Sequence, residues 1–385
     1  MVQNRALIFL IIFIAAGAAI FFVNERVRGA KDKTRAVAEA PARSAEEMHN
    51  IIIEKKIAAM SVEEKIGVMM MVAIPGTSLT PETTAWLRTH YIGGVILLGS
   101  NVRTESQVAE LILDLQDKAR LPDAPPLFIA VDQEGGAVSR FRFLKELTAQ
   151  NDMADVARAA AVARVRGGEL KALGININFS PVLDIASSAQ DFITSRAFRG
   201  VATQVAALGA AMIRGYGEGG IIAVAKHFPG HGGTRVDSHK NLPTVSRNAS
   251  RTRDALRPFR EAVKVNIPMV MVGHIKIPEI DSTYPSSLSP AAMQILRSDI
   301  GFNGIIITDD LGMGAITRSF SLTDAAVQSV RAGADIVLVV RAIADYNKIY
   351  AALMSAVRSG DISESQINQS VSRILLLKEK YLKNK

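Results

Sequence analysis

Short apolar runs alternate with longer polar or amphipathic stretches along most of the chain after residue 61. Eight of these runs are five to seven residues long, and most are apolar at nearly every position. Continuous apolar runs are typical of parallel strands that helices cover on both faces. We interpret the eight runs as strands, at residues 68–74, 94–98, 127–131, 177–183, 221–225, 268–272, 304–308 and 334–340.

Helical patterns lie between most of the predicted strands. They occupy residues 105–119, 154–173, 202–218, 250–265 and 322–332, and two more follow the last strand at 346–358 and 364–381. Two capping-box pairs, Ser44 with Glu47 and Ser61 with Glu64, predict the starts of two earlier helices. Eight strand–helix units in about 320 residues predict a TIM-like (β/α)8 barrel, which as a single domain would occupy residues 44–385. A doubly wound open sheet is the alternative architecture.

The first part of the chain carries a different pattern, an unbroken apolar run at residues 6–23. As a helix this run would span about 27 Å at about 1.5 Å per residue, which is enough to cross a bilayer core. We therefore expect residues 1–28 to be an N-terminal membrane anchor or a signal segment. The charged, alanine-rich residues 29–43 are typical of a linker.

The flanks of this run bear on its processing and its orientation. Small-residue triplets at 36–38 and 40–42 lie too far downstream for an ordinary signal cleavage site, which favours an uncleaved transmembrane helix. A short N-terminal anchor usually exports the domain that follows, so we expect that domain to be extracytoplasmic. Because the basic residues after the run favour the opposite orientation, the side of the membrane stays open.

The composition is that of a packed globular protein, with 48% apolar and 21% charged residues, and it excludes a wholly disordered chain. The absence of cysteine excludes disulfides, thiolate metal sites and a cysteine nucleophile. A formal charge of +8 predicts attraction to anionic surfaces, such as a membrane or an acidic polymer. The basic residues form no block interleaved with aromatic ones, so nucleic acid is not an expected partner.

The stretch richest in titratable groups follows the fifth predicted strand. Residues 226–239 are KHFPGHGGTRVDSH and contain three of the six histidines of the chain. Pro229 and three glycines disfavour regular structure, so we expect Asp237 and His239 on a loop beyond the strand end. A loop with this many ionisable groups is an unusual way to build a core, and we interpret it as part of a site for chemistry.

Polar side chains also follow other predicted strands at their carboxyl ends, where a barrel carries its functional residues. The set comprises Ser100, Asn101, Asp132, Gln133, Glu134, Arg140, Asp184, Arg196, Lys226, His227, His274, Asp309, Asp310 and Arg341. Single members have simpler explanations: Asp184 and Asp310 as turn formers, and His274 as a hydrogen-bonded packing residue. Their joint position at one end of a barrel is harder to explain without a shared site.

Other hydrolase chemistries fit this pattern less well. Metal-dependent barrel hydrolases usually carry a His-x-His pair after an early strand, and the chain has none there. The Gly-x-Ser-x-Gly elbow of serine hydrolases is absent, and so is the Gly-x-Gly-x-x-Gly phosphate loop.

Residues 226–239 resemble the KHFPGHG…DSH signature of family 3 glycoside hydrolases, in the β-N-acetylhexosaminidase branch. The resemblance extends over residues 61–382 and includes VDQEGG at 131–136, NFSPVLD at 178–184, SRAF at 195–198 and TDDLGM at 308–313. It implies a (β/α)8-like barrel that hydrolyses terminal β-linked N-acetylglucosamine with retained stereochemistry and without a metal or other cofactor.

The resemblance also implies roles for individual residues. It assigns the nucleophile to Asp309 and the acid/base to His239, which would pair with Asp237. It places substrate contacts on Asp132, Arg140, Arg196, Lys226 and His227, and it leaves His231, His274, Asp184 and Asp310 as candidates to support them. Gly233 departs from the family, in which many members carry an acidic residue before the threonine.

The chemistry of these groups is consistent with such roles. Most retaining glycosidases use two carboxyl groups about 5 Å apart, and here an imidazole would replace the carboxylic acid. An adjacent carboxylate favours the charged form of a histidine and fixes its tautomer. Residues two apart in an extended segment project to the same side, so Asp237 and His239 can pair.

The expected substrate is a peptidoglycan or muropeptide fragment ending in N-acetylglucosamine, because a basic protein attracts an anionic glycan. A β-N-acetylglucosaminide phosphorylase is one alternative, since a histidine acid/base would not repel incoming phosphate as a carboxylate would. A membrane-tethered sugar-binding protein without turnover is the other.

Overall fold

The computed structural model describes residues 23–26, 45–122 and 124–382. The chain divides into two compact units, Met1–Ile52 and Ile53–Lys385. Residues 6–22 of the predicted anchor, the predicted linker and Ser44 of the first capping box lie outside the described residues. Within the described ranges, no helix is both long enough and apolar enough to cross a membrane.

The strands of the second unit are short. In chain order they are β1 (Met70–Ala73), β2 (Gly94–Leu97), β3 (Phe128–Val131), β4 (Gln133–Gly135), β5 (Val138–Ser139), β6 (Ile177–Asn178), β7 (Ile222–Phe228), β8 (Met269–Val272), β9 (Ile305–Thr308) and β10 (Val337–Val339). β4 and β5 form a separate antiparallel hairpin, and the other eight form one sheet of parallel strands.

The order of the strands in the main sheet is β10-β1-β2-β3-β6-β7-β8-β9. The two strands at the ends of this order meet through a parallel bridge between Ile307 and Ile336. The peptide N–H of Asp335 also donates to the carbonyl of Ile306 at 2.8 Å. The sheet is therefore nearly closed, as in a TIM-like (β/α)8 barrel, and the alternative of an open sheet is wrong.

From residue 45 on, the described residues contain twelve α-helices: nine agree closely with predicted ones, and those at residues 81–89, 290–294 and 314–317 were not predicted. The twelve are α1 (Ala45–Ala59), α2 (Val62–Val68), α3 (Pro81–Thr89), α4 (Glu105–Asp114), α5 (Val156–Ala172), α6 (Ala202–Glu218), α7 (Ala249–Lys264), α8 (Pro290–Gln294), α9 (Gly314–Thr317), α10 (Leu322–Ala332), α11 (Ile343–Ser359) and α12 (Glu364–Leu382). The second predicted capping box is confirmed. Ser61 Oγ accepts from the N–H of Glu64, and the Glu64 carboxylate accepts from the N–H of Ser61.

Two strands differ from their predicted lengths at the end that carries the site. β6 ends at Asn178 rather than at residue 183, although the chain beyond it stays beside β7 through a bridge between Val182 and Lys226. β7 is longer than predicted and runs on through Phe228, with a register shift against β8 between Ala225 and Phe228. Lys226 and His227 are therefore held by the buried sheet rather than by the loop that follows.

Candidate active site

Lys226 lies in a buried group of charges at the carboxyl ends of β3 and β7. Its ammonium donates to Asp132 Oδ1 at 2.7 Å and to Glu134 Oε1 at 2.6 Å. Arg196 binds the same Glu134 carboxylate through Nε (3.0 Å) and Nη2 (2.6 Å). Burial alone lowers the pKa of Lys226, but the two carboxylates outweigh it and raise that pKa above its ordinary value. These four residues form the charge network, in which Lys226 keeps one of its three N–H donors for a ligand.

Glu134 belongs to the polar residues that follow the third predicted strand, but no role was predicted for it. It lies in β4 and is 1% exposed. Burial raises the pKa of its carboxyl, but Lys226 and Arg196 outweigh burial and hold the pKa well below its usual range. The available signal was its place in the VDQEGG motif, two residues after Asp132.

The hairpin of β4 and β5 also returns Arg140 to the charge network. The side-chain amide of Gln133 bonds both the N–H (3.0 Å) and the carbonyl (3.2 Å) of Phe141, which fixes the chain beyond the hairpin. Arg140 Nη2 then lies 3.7 Å from Asp132 Oδ2. All the predicted substrate contacts are thus members of this network or its neighbours, His227 through Arg196.

His227 is oriented by a buried carboxylate behind it. Its Nδ1 lies 2.6 Å from Asp184 Oδ2, and the N–H of His231 donates to Asp184 Oδ1 at 2.6 Å. Burial raises the pKa of Asp184, but His227 outweighs it and lowers the pKa below its ordinary value. Because Nδ1 is engaged, Nε2 faces the opposite side, 3.5 Å from Arg196 Nη2. Asp184 is therefore more than a turn former.

Asp309 follows β9 at the mouth of the barrel and is half-buried. Its Oδ1 accepts from the N–H of Asp310 at 2.8 Å. Burial raises the pKa of Asp309, but the imidazoles of His274 and His227, the Asp310 N–H and the Lys226 ammonium together hold it at about 2. The carboxylate is ionised at neutral pH, as a nucleophile must be.

Asp310 and His274 hold the segment that carries Asp309. The Asp310 carboxylate accepts from the N–H groups of Gly312 and Val340, both at 2.8 Å. His274 is fully buried, and its Nε2 lies 2.8 Å from the Asp310 carbonyl. Burial and the charge of Asp309 raise the pKa of Asp310 to about 6. The simple explanations, a turn former and a packing histidine, therefore describe the contacts of both residues, and those contacts support Asp309.

His239 is on an exposed part of the loop that follows β7. Its Nδ1 lies 2.8 Å from Asp237 Oδ1, and its N–H donates to the same oxygen at 2.9 Å. Burial raises the pKa of Asp237, but its bonds to His239 outweigh burial and lower it. The predicted pairing of Asp237 with His239 is confirmed, but the segment is a turn rather than the extended chain that we expected, because the carbonyl of Asp237 accepts from the N–H groups of Lys240 and Asn241. Since Nδ1 faces the carboxylate, Nε2 is the nitrogen available to exchange a proton.

Backbone hydrogen bonds attach this segment to the chain that follows Asp309. The carbonyl of His239 accepts from the N–H of Gly314 (2.9 Å), and the carbonyl of Ser238 accepts from the N–H of Ala315 (3.1 Å). Arg318 Nε donates to the carbonyl of Lys240 at 2.6 Å. The loop with the imidazole and the segment with the carboxylate thus belong to one mouth of the barrel.

Arg247 is a residue that the sequence pattern missed. Its buried guanidinium donates to the carbonyls of Pro229 (3.2 Å), Gly230 (2.7 Å) and Gly232 (3.0 Å). A Cβ at Gly232 would lie 1.7 Å from the carbonyl oxygen of Ile185, so only glycine fits there. Residues 229–240 are called the glycine-rich loop. Arg247 therefore fixes the first four residues of this loop through three of their carbonyl groups.

This arrangement contains the groups that double displacement at a sugar carbon requires. It has an ionised carboxylate at Asp309, an imidazole backed by a carboxylate, and a network of donors and acceptors for hydroxyl groups. In the described part of the chain, no three or more histidine, aspartate or glutamate side chains are grouped so as to hold a metal ion.

Comparison with known sequences identifies the family of the chain. The family described as "Glycosyl hydrolase family 3 N terminal domain" matches residues 61–377. Beta-hexosaminidase A of Pseudoalteromonas piscicida is 34% identical over 334 residues, which cover 79% of this chain and 56% of that protein. The beta-hexosaminidase of Nitrosomonas eutropha is 36% identical over 281 residues, which cover 70% of this chain and 80% of that protein.

Solved structures give the same result. A glycoside hydrolase family 3 beta-N-acetylglucosaminidase from Paenibacillus sp. str. FPU-7 has a TM-score of 0.81 and 37% identity, over 84% of this chain and 63% of that one. LpqI of M. tuberculosis has a TM-score of 0.75 and 31% identity, over 85% of this chain and 96% of that one. The chain spans less than two thirds of the length of two of these relatives. Because the match to the family covers residues 61–377, the chain belongs to glycosyl hydrolase family 3.

Proposed function

We propose that the protein is a retaining β-N-acetylhexosaminidase that releases terminal β-linked N-acetylglucosamine. The observation that carries this proposal is the joint position of ionised Asp309 and the Asp237–His239 pair at one mouth of the barrel. The beta-hexosaminidase names of the relatives support the same reaction.

In the proposed complex, the terminal sugar binds against the charge network. Asp132 accepts from sugar hydroxyls, and Arg140, Arg196 and Lys226 donate to hydroxyls and to the N-acetyl carbonyl. Glu134 sets the directions of Arg196 and Lys226, and His227 presents Nε2 beside Arg196. The anomeric carbon then lies over Asp309.

The reaction proceeds in two displacements. First, the Asp309 carboxylate bonds to the anomeric carbon while the bond between that carbon and the leaving oxygen breaks. His239 donates a proton from Nε2 to the leaving oxygen. Second, His239 removes a proton from water, the water oxygen bonds to the anomeric carbon, and the ester to Asp309 breaks. Asp237 stabilises the imidazolium in both steps, as the carboxylate of a serine triad does.

Substitution of the nucleophile tests the first displacement. Asp309→Ala should fold normally and lose roughly 10³-fold or more of kcat on an aryl β-N-acetylglucosaminide, because no covalent path remains. The exposed Asp361→Ala serves as a matched control with normal turnover. A 5-fluoro sugar that traps the intermediate should label the peptide that contains Asp309. Near-normal turnover of Asp309→Ala, or label elsewhere, overturns the assignment.

Product analysis separates the remaining alternatives. If phosphate replaces water in the second displacement, the product is a sugar 1-phosphate and the rate rises with phosphate concentration. We expect free N-acetylglucosamine at a rate independent of phosphate. Any turnover abolished by Asp309→Ala excludes a sugar-binding protein without activity.

We further propose that residues 6–23 anchor the protein and that its domain acts on muropeptide fragments outside the cytoplasm. The apolar run and the charge of +8 support this setting. The full chain should need detergent for extraction from membranes, whereas a variant without residues 1–28 should not. Extraction of the full chain by alkaline carbonate alone would exclude the anchor. A preference for N-acetylglucosaminyl-anhydromuramyl peptides over neutral chitobiose is expected, and equal kcat/KM values would contradict it.

A further inference from the structure

Phe192 lies between two histidines of the glycine-rich loop. Its ring centroid is 6.0 Å from that of His239, with the ring planes at 65°, and 5.6 Å from that of His231. The His239 side chain is 61% exposed, and its ring has one hydrogen-bonded partner, Asp237. Contact with Phe192 is therefore a second constraint on the direction of an otherwise exposed imidazole.

Asp191 and the backbone of Phe192 bind the middle of the same loop. The N–H of Phe192 donates to the carbonyl of Thr234 at 2.9 Å. The carboxylate of the preceding Asp191 accepts from the N–H of Gly233 at 2.8 Å and from the N–H of Ser187 at 2.7 Å. Asp191 and Phe192 therefore bind consecutive residues of the glycine-rich loop, five and six positions before His239.

His231 gives Phe192 a fixed surface on its other side. The His231 side chain is 2% exposed, and its N–H is bound to the buried Asp184 carboxylate. Among the described residues, neither nitrogen of its ring has a hydrogen-bond partner. Burial lowers the pKa of His231 to about 4, so the ring is neutral near pH 7. Phe192 thus packs between a neutral, buried imidazole and an exposed one.

We propose that Phe192 is a positioning residue that holds the His239 imidazole toward the leaving group, while Asp191 fixes the loop at Gly233. This inference rests on the proposed acid/base role of His239. The loop is also held beyond His239, where Gly314 and Arg318 bind its backbone. Those contacts fix the main chain and leave the direction of the ring to Asp237 and Phe192.

A series of aryl β-N-acetylglucosaminides with leaving groups of increasing pKa tests this role. Phe192→Leu should lower kcat/KM about 10- to 100-fold for the poorest leaving groups and less than about 3-fold for the most activated ones, because only the former need a well-placed proton. The plot of log(kcat/KM) against leaving-group pKa should become steeper. Phe192→Tyr keeps the ring and should restore the wild-type slope.

Tyr350→Leu is a matched control. Tyr350 is in α11 and also packs edge-to-face on a histidine, with its ring centroid 4.9 Å from that of His90. It belongs to no part of the proposed site, so its loss should leave the slope unchanged. Asp191→Ala, which frees the N–H of Gly233, should change the slope in the same direction as Phe192→Leu.

Three outcomes overturn the inference. An equal loss on all substrates would assign Phe192 to folding, and a change in KM alone would make it a contact of the substrate. Wild-type kcat and KM on every substrate would exclude any role for Phe192. His239→Ala, measured on the same substrates, separates this failure from failure of the proposed function. If His239→Ala steepens the slope and Phe192→Leu does not, only the positioning role is wrong. If His239→Ala has no such effect, the acid/base assignment is itself wrong.

Discussion

Lys226 and Arg196 share one carboxylate, Glu134, and this sharing decides how each of the three residues responds to substitution. Glu134 accepts from both cations at 2.6 Å and is almost inaccessible to solvent. Loss of one member leaves a buried charge without its partner, which costs more free energy than the pair itself provides. Single substitutions therefore act on folding and on substrate binding together.

Glu134→Gln should lower kcat/KM at least about 100-fold, because Lys226 and Arg196 lose their fixed directions. It should also lower the free energy of unfolding by about 3–5 kcal/mol, as measured by urea titration. Glu63→Gln is the control, since Glu63 and its partner Arg358 are both exposed. Wild-type stability and activity in Glu134→Gln would contradict the described network.

The sequence predicts residues whose partners are near in the chain better than those whose partners are distant. The pairing of Asp237 with His239 follows from a spacing of two residues. Glu134 and Arg196 are 62 residues apart. From the sequence alone, nothing indicates which basic residues the Glu134 carboxylate binds. Phe192 and Arg247 belong to none of the motifs found in the sequence. Only the packed structure shows what they contact.

At the scale of elements, the glycine-rich loop is held at its middle and at its end by neighbouring segments rather than by its own secondary structure. Asp191 and Phe192 bind residues 233 and 234, and α9 with the residue after it binds residues 238–240. Gly314, the first residue of α9, lies so close to this segment that a Cβ there would be 2.4 Å from the Lys240 carbonyl oxygen. The position of His239 therefore depends on a glycine in another element.

Gly314→Ala should push residues 238–240 away from α9 and lower kcat/KM about 10-fold or more on substrates with poor leaving groups. Gly168→Ala, in α5, is the matched control, because a Cβ there would meet no atom within 4 Å. The comparison needs only steady-state kinetics and a melting curve for each variant. Equal activity of the two variants would show that the loop tolerates displacement.

All eight barrel strands and nine of the twelve described α-helices were predicted in order, and the differences have local causes. Continuous apolar runs identified the barrel strands, but after Asn178 the apolar run continues as chain that stays bonded to β7 without forming a regular strand. The end of β7 was predicted too early, because the polar Lys226 and His227 interrupt its apolar run. The hairpin of β4 and β5 is too short for a periodic pattern, and so its role in placing Glu134 could not be seen.

At the scale of the whole barrel, Asp335 joins the strands where the sheet closes. Its buried carboxylate binds Arg297, Ser370 Oγ (2.8 Å), Arg373 Nη1 (2.9 Å) and the N–H of Ile306 (2.8 Å). These partners belong to the start of β9, to α12 and to the turn after α8. Asp335 precedes β10, so this junction lies at the amino ends of the strands, opposite the proposed site.

Asp335→Ala should lower the free energy of unfolding by about 3–5 kcal/mol, because two arginines lose their buried partner. Ser370→Ala removes one hydrogen bond to the same carboxylate and should cost about 1 kcal/mol. Urea midpoints measure both, and the dependence of kcat/KM on leaving group should stay that of the wild type. A change in that dependence would show that the two ends of the barrel are coupled.

The placement of this junction has a practical consequence. The partners of Asp335 lie at the opposite end of the barrel from the proposed site, so we expect that substitutions among them can raise heat tolerance without a loss of turnover. Thermal stability and the proposed substrate range can thus be engineered separately, one at each end of the barrel.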